Sequence, residues 1–290
     1  MDAPPAVSAV IVTWNSRAVV LDCLDALAAS LPAPPEVVVV DNASSDGTLE
    51  AARGHPSGPA TIGNDGNRGL AAANNQGIAA TTGDFVLVAN PDTAVAPTAV
   101  AALVALLERR PRAAFAIPRL RHPDGTLQTS AGDLPTLREA LLGRQAQAKG
   151  PGGEGGFWWD GWAHDEERAI GRGHEACYLV RRAAIAEIGP QDEGFRLDWE
   201  GIDWAARARE AGWEIWFTPA ADVTHLGGAS IRQAPWRWIV GSHRGMYRYF
   251  AKRCRPALRP LLAAVVAARG GAKALAAVAG PASYGRAQRG

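Results

Sequence analysis

Cysteine is scarce: Cys23, Cys177 and Cys254 stand far apart in 290 residues, with no CxxC pair and no even-numbered set. That spacing argues against a disulfide framework or a zinc knuckle and for reduced thiols. No run approaches the roughly 18 apolar residues a membrane span needs, and Met1 to Val7 has no basic segment of the kind that opens a signal sequence. A cytoplasmic protein is expected from this, one that at most touches the inner face of a membrane. Also missing are a GxGxxG after the first strand and a GxxxxGK[ST] anywhere, so dinucleotide and P-loop sites lack their phosphate cradle. Acid is absent beyond Asp222. There Arg232, Arg237, Arg244, Arg248, Lys252, Arg253, Arg255, Arg259, Arg269 and Lys273 recur without a counter-charge, so the net +1 hides an acidic body and a basic tail.

What is present reads as a globular α/β chain, 47% hydrophobic and 20% charged. Val7 to Thr13, Glu36 to Asp41 (EVVVVD) and Asp84 to Ala89 (DFVLVA) are β-branched runs suited to buried parallel strands. Thr61 and Ile62 form a shorter one, and another lies near Ala114 to Pro118. Helical spacing fills Val19 to Ala29, Asp46 to Arg53 (Ser44 or Ser45 as caps), Gly69 to Ala80 and Pro97 to Arg109. Such alternation implies βαβ units and a mainly parallel sheet. After a turn at His122 to Thr126 the pattern loosens. A helix is expected over Leu134 to Ala148, a Gly-rich stretch over Lys149 to Gly156, a strand at Cys177 to Val180 and a helix at Arg182 to Ile188. A helix at Ile202 to Ala211 and a strand at Trp213 to Phe217 follow. From Pro235 helices run to about Val278, with breaks near Pro256, Pro260 and Gly270-Gly271, and the last residues read as disordered.

Ligands of a parallel sheet bind at the carboxyl ends of its strands. Three polar clusters fall at such ends: Thr13-Trp14-Asn15, the run Asp41 to Gly47, and Asn90-Pro91-Asp92-Thr93. A carboxylate at the second end can accept hydrogen bonds from a base or ribose, and one at a later end can hold Mg²⁺ or Mn²⁺ against a diphosphate. The alternative for each alone is a turn or helix cap.

In order along the chain, VIVTWNS, VVVDNASSDGT, NDGNRGLAAANNQGI (Asn64 to Ile78), NPDT, HPDGTLQ, CYLVRR, the stretch Phe195 to Trp213 and HLGGAS resemble the family 2 of inverting glycosyltransferases, its rhamnosyltransferase-like bacterial branch most of all. The likeness covers roughly residues 6–250. It implies a Rossmann-like GT-A fold with a mixed central sheet and a C-terminal helical extension. The expected division is a GT-A domain over 1–230 (nucleotide-binding half about 1–120, acceptor-side half about 121–230) and a basic helical extension over 231–290. The resemblance implies that Thr13, Trp14 and Asn15 line the nucleotide pocket and that Asp41 accepts a hydrogen bond from a pyrimidine N–H. Asn67 and Arg68 would sit beside the nucleotide, with Arg68 available to the diphosphate. Asn90-Pro91-Asp92 takes the family's DxD position, Asp92 being the ligand of a divalent metal (Mg or Mn) and His225 a candidate second ligand.

Inverting transfer needs a carboxylate to take the acceptor's proton and a cation to stabilise the departing diphosphate; no protein nucleophile is required. The family's acidic pair before a helix departs here: Gly201 in Asp198-Trp199-Glu200-Gly201-Ile202-Asp203 stands where the resemblance puts the base. Three alternatives follow: Glu200 acts from one position earlier, Asp203 acts instead, or activity is lost. Glu175, where a small residue is usual, is either a substitute acid near the acceptor or the partner of a nearby arginine.

Ten Trp is rich for this length. Trp158, Trp159 and Trp162 follow the Gly-rich stretch, as a lid stacking on an acceptor sugar would, with ordinary packing as the alternative. Trp199, Trp204, Trp213 and Trp216 read as core or pocket wall. The basic tail suits an anionic partner, a membrane bearing a lipid-linked acceptor above nucleic acid, for which no motif is present; a solvated face or oligomer contact is the other alternative. The expected function is transfer of a sugar, rhamnose first, from a nucleoside-diphosphate sugar to a saccharide or lipid-linked acceptor in cell-surface polysaccharide synthesis. A nucleotidyltransferase would need a Gly-rich, Lys/Arg-bearing loop after the first strand, which Thr13 to Arg17 is not. A catalytically impaired sugar-nucleotide-binding scaffold is the non-enzymatic alternative, with Gly201 its best support.

Overall fold

Alternation within the valine-rich runs decides the layers. A computed structural model describes residues 6–30, 36–142, 155–227 and 235–279 of the chain. In β1 (Val7–Thr13) and β2 (Glu36–Asp41) successive side chains point to opposite faces. Ala9, Ile11, Val37 and Val39 enter one core, while Val10 enters a second and Val38 and Val40 a small third patch. Both faces are covered, which is why these strands are apolar throughout rather than alternately polar.

The chain continues from β1 into α1 (Val20–Ser30), from β2 into α2 (Thr48–Arg53), and from β3 (Ala60–Gly63) into α3 (Leu70–Ala79). Next come β4 (Phe85–Ala89), β5 (Thr93–Val95), α4 (Ala99–Arg109), β6 (Ala113–Arg121), β7 (Leu127–Gln128), β8 (Ala131–Gly132) and α5 (Leu137–Leu142). After these lie β9 (Arg168–Ile170), β10 (Arg172–Gly173), β11 (Cys177–Arg181), α6 (Arg182–Ile188), α7 (Glu200–Glu210) and β12 (Glu214–His225). Two helices close the described chain, α8 (Pro235–Arg253) and α9 (Arg259–Ala279).

The main sheet runs β3-β2-β1-β4-β11-β6-β12-β5, with β7 on β6 and β9 on β12; β8 and β10 pair separately. The first four strands are parallel, β6 and β12 are parallel, and β11 is antiparallel to both β4 and β6. The mixed α/β sheet agrees with the fold class expected above. Helices α1 and α4 cover one face, and α6 and α7 the other, where Trp204 fills the second core against Phe115 and Tyr178.

Several local expectations need correction. Neither Ser44 nor Ser45 caps α2, which starts at Thr48 behind Gly47 in the left-handed region (φ 82°), because Ser44 is already bonded to Asp41. The strand expected over Trp213 to Phe217 runs on to His225, and the bulge between Thr218 and Asp222 absorbs Pro219 without breaking the pairing with β6. Pro260 does not interrupt a helix; it occupies the first turn of α9, where a missing N–H costs nothing. Gly270-Gly271 does not break α9 either. A Cβ on Gly270 would stand 3.0 Å from the ring of His243 on α8, so this glycine lets the two helices approach. Of the helix expected over Leu134 to Ala148, Leu137–Leu142 is present. Residues 143–154, most of the Gly-rich stretch among them, lie outside the described residues, as do 228–234 and the last residues, 280–290.

The C-terminal helices share a core with α7 and the segment before it. Phe195, Trp199, Ile202 and Ala206 pack against Met246, Tyr249 and Phe250 of α8 and Leu262 and Val266 of α9. Among the described residues, no helix is long and apolar enough to cross a membrane.

Candidate active site

Strand order reverses between β1 and β4, and the carboxyl ends of β1, β2, β3 and β4 open along one edge. Asp41, buried at the end of β2, accepts from Thr13 Oγ1 (2.7 Å), the Ser44 N–H (2.8 Å) and Ser44 Oγ (2.5 Å). A carboxylate offers about four acceptor positions, so this one is rigidly aimed and keeps one position open. Asn15, with φ 49°, donates its N–H to Ser44 Oγ and accepts from the Ser45 N–H, so it ties the loop after β1 to the loop after β2. Trp14 is half-buried in the same turn, its N–H on Ser16 Oγ. Asn67 accepts the Gly69 N–H, and the Arg68 N–H reaches Asn42 Oδ1. Beside these lies a cavity of about 600 Å³ lined by Asn64, Asn67, Arg68, Glu193 and Arg196 among others.

At the end of β4, Asn90 donates its N–H to Ala176 O, and its own carbonyl accepts Thr93 Oγ1. Two residues on, Asp92 Oδ1 stands 3.4 Å from His225 Nε2 at the end of β12; both side chains are buried. Burial works against the ionised carboxyl of Asp92, but the hydrogen bond and charge of His225 outweigh it and hold it below the usual range. Gln128 Oε1 lies 3.1 Å from His225 Nδ1; with Nδ1 donating there, Nε2 is left to face Asp92. One carboxylate oxygen and one imidazole nitrogen at this spacing fit a single divalent cation. Among the described residues no group of three or more His, Cys, Asp or Glu is arranged to hold a metal ion by itself, so a cation at this pair would need further ligands such as diphosphate or water.

Next to this pair lies a cluster of acids. The His174 ring sits 5.4 Å from that of His225 and stacks at the same distance on Trp158. Burial, with the charges of His225 and Arg172, pushes His174 down to about 3, so it is neutral. Glu175 follows it, part-exposed, and meets Glu200, which is 1% exposed. Among the described residues neither Glu200 oxygen finds an N–H or O–H donor, so the two carboxyls bond to each other only when one carries a proton. Burial raises Glu200 well above the carboxylate range, and the charges of Glu175 and Asp198 raise it further. Glu175 is pushed up to about 7, by burial first and Asp198 second, with Arg172, Glu200 and the Gly201 N–H pulling back. Burial and mutual repulsion therefore keep the pair from ionising fully near neutral pH, Glu200 being the more strongly raised of the two. Asp198 accepts from Ser242 Oγ on α8 (2.6 Å) and the Trp199 N–H (3.0 Å). Asp198 and Trp199 are both left-handed (φ 67° and 77°), a local strain of the kind that persists where surroundings enforce it. Here the enforcers are Ser242, which accepts the Trp199 Nε1–H, and the rings of Tyr249 and Phe250.

Three expected site residues lie elsewhere. Asp203, fully buried, faces Lys252, Arg253 and Arg207 at 2.8–3.1 Å and is held below the usual range: burial opposes, but Lys252 and Arg253 win. Trp159 and Trp162 are not a lid; both enter the second core, Trp159 bonded to Asp133 and Trp162 packed on Phe217. Trp158 stays beside the site, with the Arg172 guanidinium 3.8 Å from its ring and 3.8 Å from that of Phe157. Much of the basic tail is also spent internally: Arg248 and Lys252 bind Asp192, and Arg253 also reaches Glu210. Arg172, His174, Asp198 and Ser242 carried no role in the sequence reading, and Gln128 lay unremarked inside HPDGTLQ. A signal for them exists only in their contacts.

Residues 8–165 match the sequence profile described as Glycosyl transferase family 2. The N-acetylglucosaminyl-diphospho-decaprenol L-rhamnosyltransferase of Mycobacterium tuberculosis is 30% identical over 245 residues, 79% of each chain. Among solved structures, the mannosyltransferase PcManGT from Pyrobaculum calidifontis, in complex with GDP-Man and Mn²⁺, is similar over 99% of this chain and 79% of its own (TM-score 0.58, 20% identity). GalNAc-T7, with UDP, GalNAc and Mn²⁺, is similar over 76% of this chain but only 44% of its own (TM-score 0.57, 18% identity). At these identities the two structures show the fold, the GT-A fold expected above.

Proposed function

The chain belongs to glycosyltransferase family 2, and on that premise we propose that it moves a rhamnosyl group from a nucleoside-diphosphate sugar to a lipid-linked saccharide with inversion, using a divalent metal. The observation that carries the donor half is the Asp92–His225 pair at the sheet edge. Asp92 and His225 would hold the cation, which, when bound, supplies positive charge to the departing diphosphate. Thr13, Trp14, Asp41, Asn67 and Arg68 would receive the nucleoside diphosphate along the strand ends, with Asn15 and Asn90 fixing the turns beside them. The choice of rhamnose and of a lipid-linked acceptor rests on the mycobacterial relative, whose name states both.

The same reading places α9 at a membrane surface. Leu261, Val265, Ala268, Ala272 and Leu275 recur at helical spacing on one exposed stripe, with Leu261 64% and Leu275 73% exposed, and exposed Arg255 and Arg259 stand at its start. An apolar stripe with cations at its edge suits an anionic bilayer that carries the acceptor.

The test is a calorimetric binding and donor-hydrolysis screen over common sugar nucleotides, nucleoside-diphosphate rhamnose included, with and without Mn²⁺, for wild type and Asp92→Ala. Metal-dependent binding lost in the variant is expected. Absence of metal-dependent binding of any sugar nucleotide by the wild type would overturn the proposal.

A further inference from the structure

The transfer proposed above needs a base, and the expected positions do not provide one. Gly201 has no side chain, Asp203 is neutralised by three cations, and Glu200 is sealed and protonated. We infer that Glu175 is the general base, occupying from the entry of β11 the space that a side chain on residue 201 would fill.

Three observations carry this. A Cβ on Gly201 would stand 2.5 Å from Glu175 Cδ and 2.6 Å from Cγ, so the two side chains exclude one another and glycine is what admits the Glu175 carboxyl. The residues on either side of Glu175 both reach the surroundings of the Asn90–Asp92 turn. Its neighbour His174 packs on His225, the partner of Asp92, and its other neighbour Ala176 accepts the Asn90 N–H at 2.8 Å. Finally, of the carboxyls gathered here, Asp198 is engaged by Ser242 and Trp199 and Glu200 is buried, whereas Glu175 is part-exposed. The groups facing it are Arg172 from β10, Asp198 just before α7, Glu200 at its start, the Gly201 N–H, and Tyr178 on β11.

The step balances within these groups. The acceptor O–H proton passes to a Glu175 oxygen as the acceptor oxygen forms its bond to the anomeric carbon. The bond from that carbon to the diphosphate oxygen breaks, and the diphosphate leaves with the electron pair. Glu175 returns the proton to solvent. Glu200 positions the base: its retained proton bonds to Glu175 and keeps the pair from carrying two negative charges.

The test uses the full chain with the donor on which the wild type is active. Glu175→Gln is expected to lower kcat about 10²-fold or more while nucleoside diphosphate and Mn²⁺ still bind. Moving the acid, with Glu175→Gly and Gly201→Asp together, is expected to recover at least about tenfold over Glu175→Gly alone. If the variants fold poorly, the wild-type pH profile decides instead: kcat should fall on the acid side of about pH 7 as Glu175 takes up its proton. Glu175→Gln with near wild-type kcat, or a profile flat down to about pH 5, refutes the assignment. An active wild type with active Glu175 variants removes this inference alone; a wild type that turns over no sugar nucleotide removes the functional reading with it.

Discussion

Replacing Asp203 by Asn separates a strut from a base. In the protein this carboxylate is fully buried and receives Lys252 Nζ at 2.8 and 2.9 Å, Arg253 at 3.0 Å and Arg207 at 3.1 Å. Removing one partner of a buried ion pair typically costs about 3–5 kcal/mol, because the other is left uncompensated. The three cations are 22–36% exposed and can turn toward water, so the cost is discounted to about 2–3 kcal/mol. For a chain of 290 residues that is a fall in Tm of about 3–5 °C. The pH dependence has a definite sign. A carboxyl held below its unfolded pKa adds stability above about pH 4 and loses it as pH falls through the lower folded value, so the gap between wild type and variant should close on acidification. Urea unfolding at pH 7 and well below pH 4, where the folded carboxyl takes up its proton, measures the gap, and sugar transfer at 15 °C measures activity. The expected result is a destabilised enzyme with kcat within a few-fold of wild type. A variant as stable as wild type but with kcat down about 100-fold would mean that Asp203 acts on the proton after all.

Glu200→Gln should stabilise the protein on the alkaline side. Its folded pKa is raised, so the wild type loses stability as pH climbs above the unfolded value near 4.5, and the neutral amide avoids that loss. A gain of roughly 1–3 kcal/mol at pH 8.5 and little at pH 5, read by chemical denaturation, is expected, and equal stability at both pH values would sink the account. Leu261→Glu with Leu275→Glu should leave transfer to a water-soluble acceptor unchanged but abolish flotation with vesicles containing anionic lipid; retained flotation would remove α9 from the membrane contact.

The sheet was legible because its signal is local. The runs at Val7, Glu36 and Phe85 are buried on both faces and carry their identity in composition alone, and the helices between them follow from apolar spacing. The three-residue β5 and the continuation of β12 past Pro219 were not legible, because pairing with a distant strand overrides the local breaker. Asp41 and Asp92 stood out by ending strands. The acid cluster did not, since its members are brought together across the chain: Glu175 meets residue 201 and Asp198 meets Ser242. The tryptophans at 159 and 162 misled for a similar reason. Their Gly-rich flank reads as a hinge, while their partners Asp133 and Phe217 are invisible in the local sequence.

The shared core of α7, α8 and α9 sets an order on the birth of the enzyme. Every strand of the sheet has left the ribosome by His225, yet the hydroxyl that clamps Asp198 belongs to Ser242, and the apolar wall behind Trp199 is completed only at Val266. At about 5–20 residues per second, those parts arrive some seconds after the last strand. During synthesis the half of the protein that faces the nucleotide can therefore close while the acid cluster is still unbraced, and the full constellation is reached only when the final helices dock.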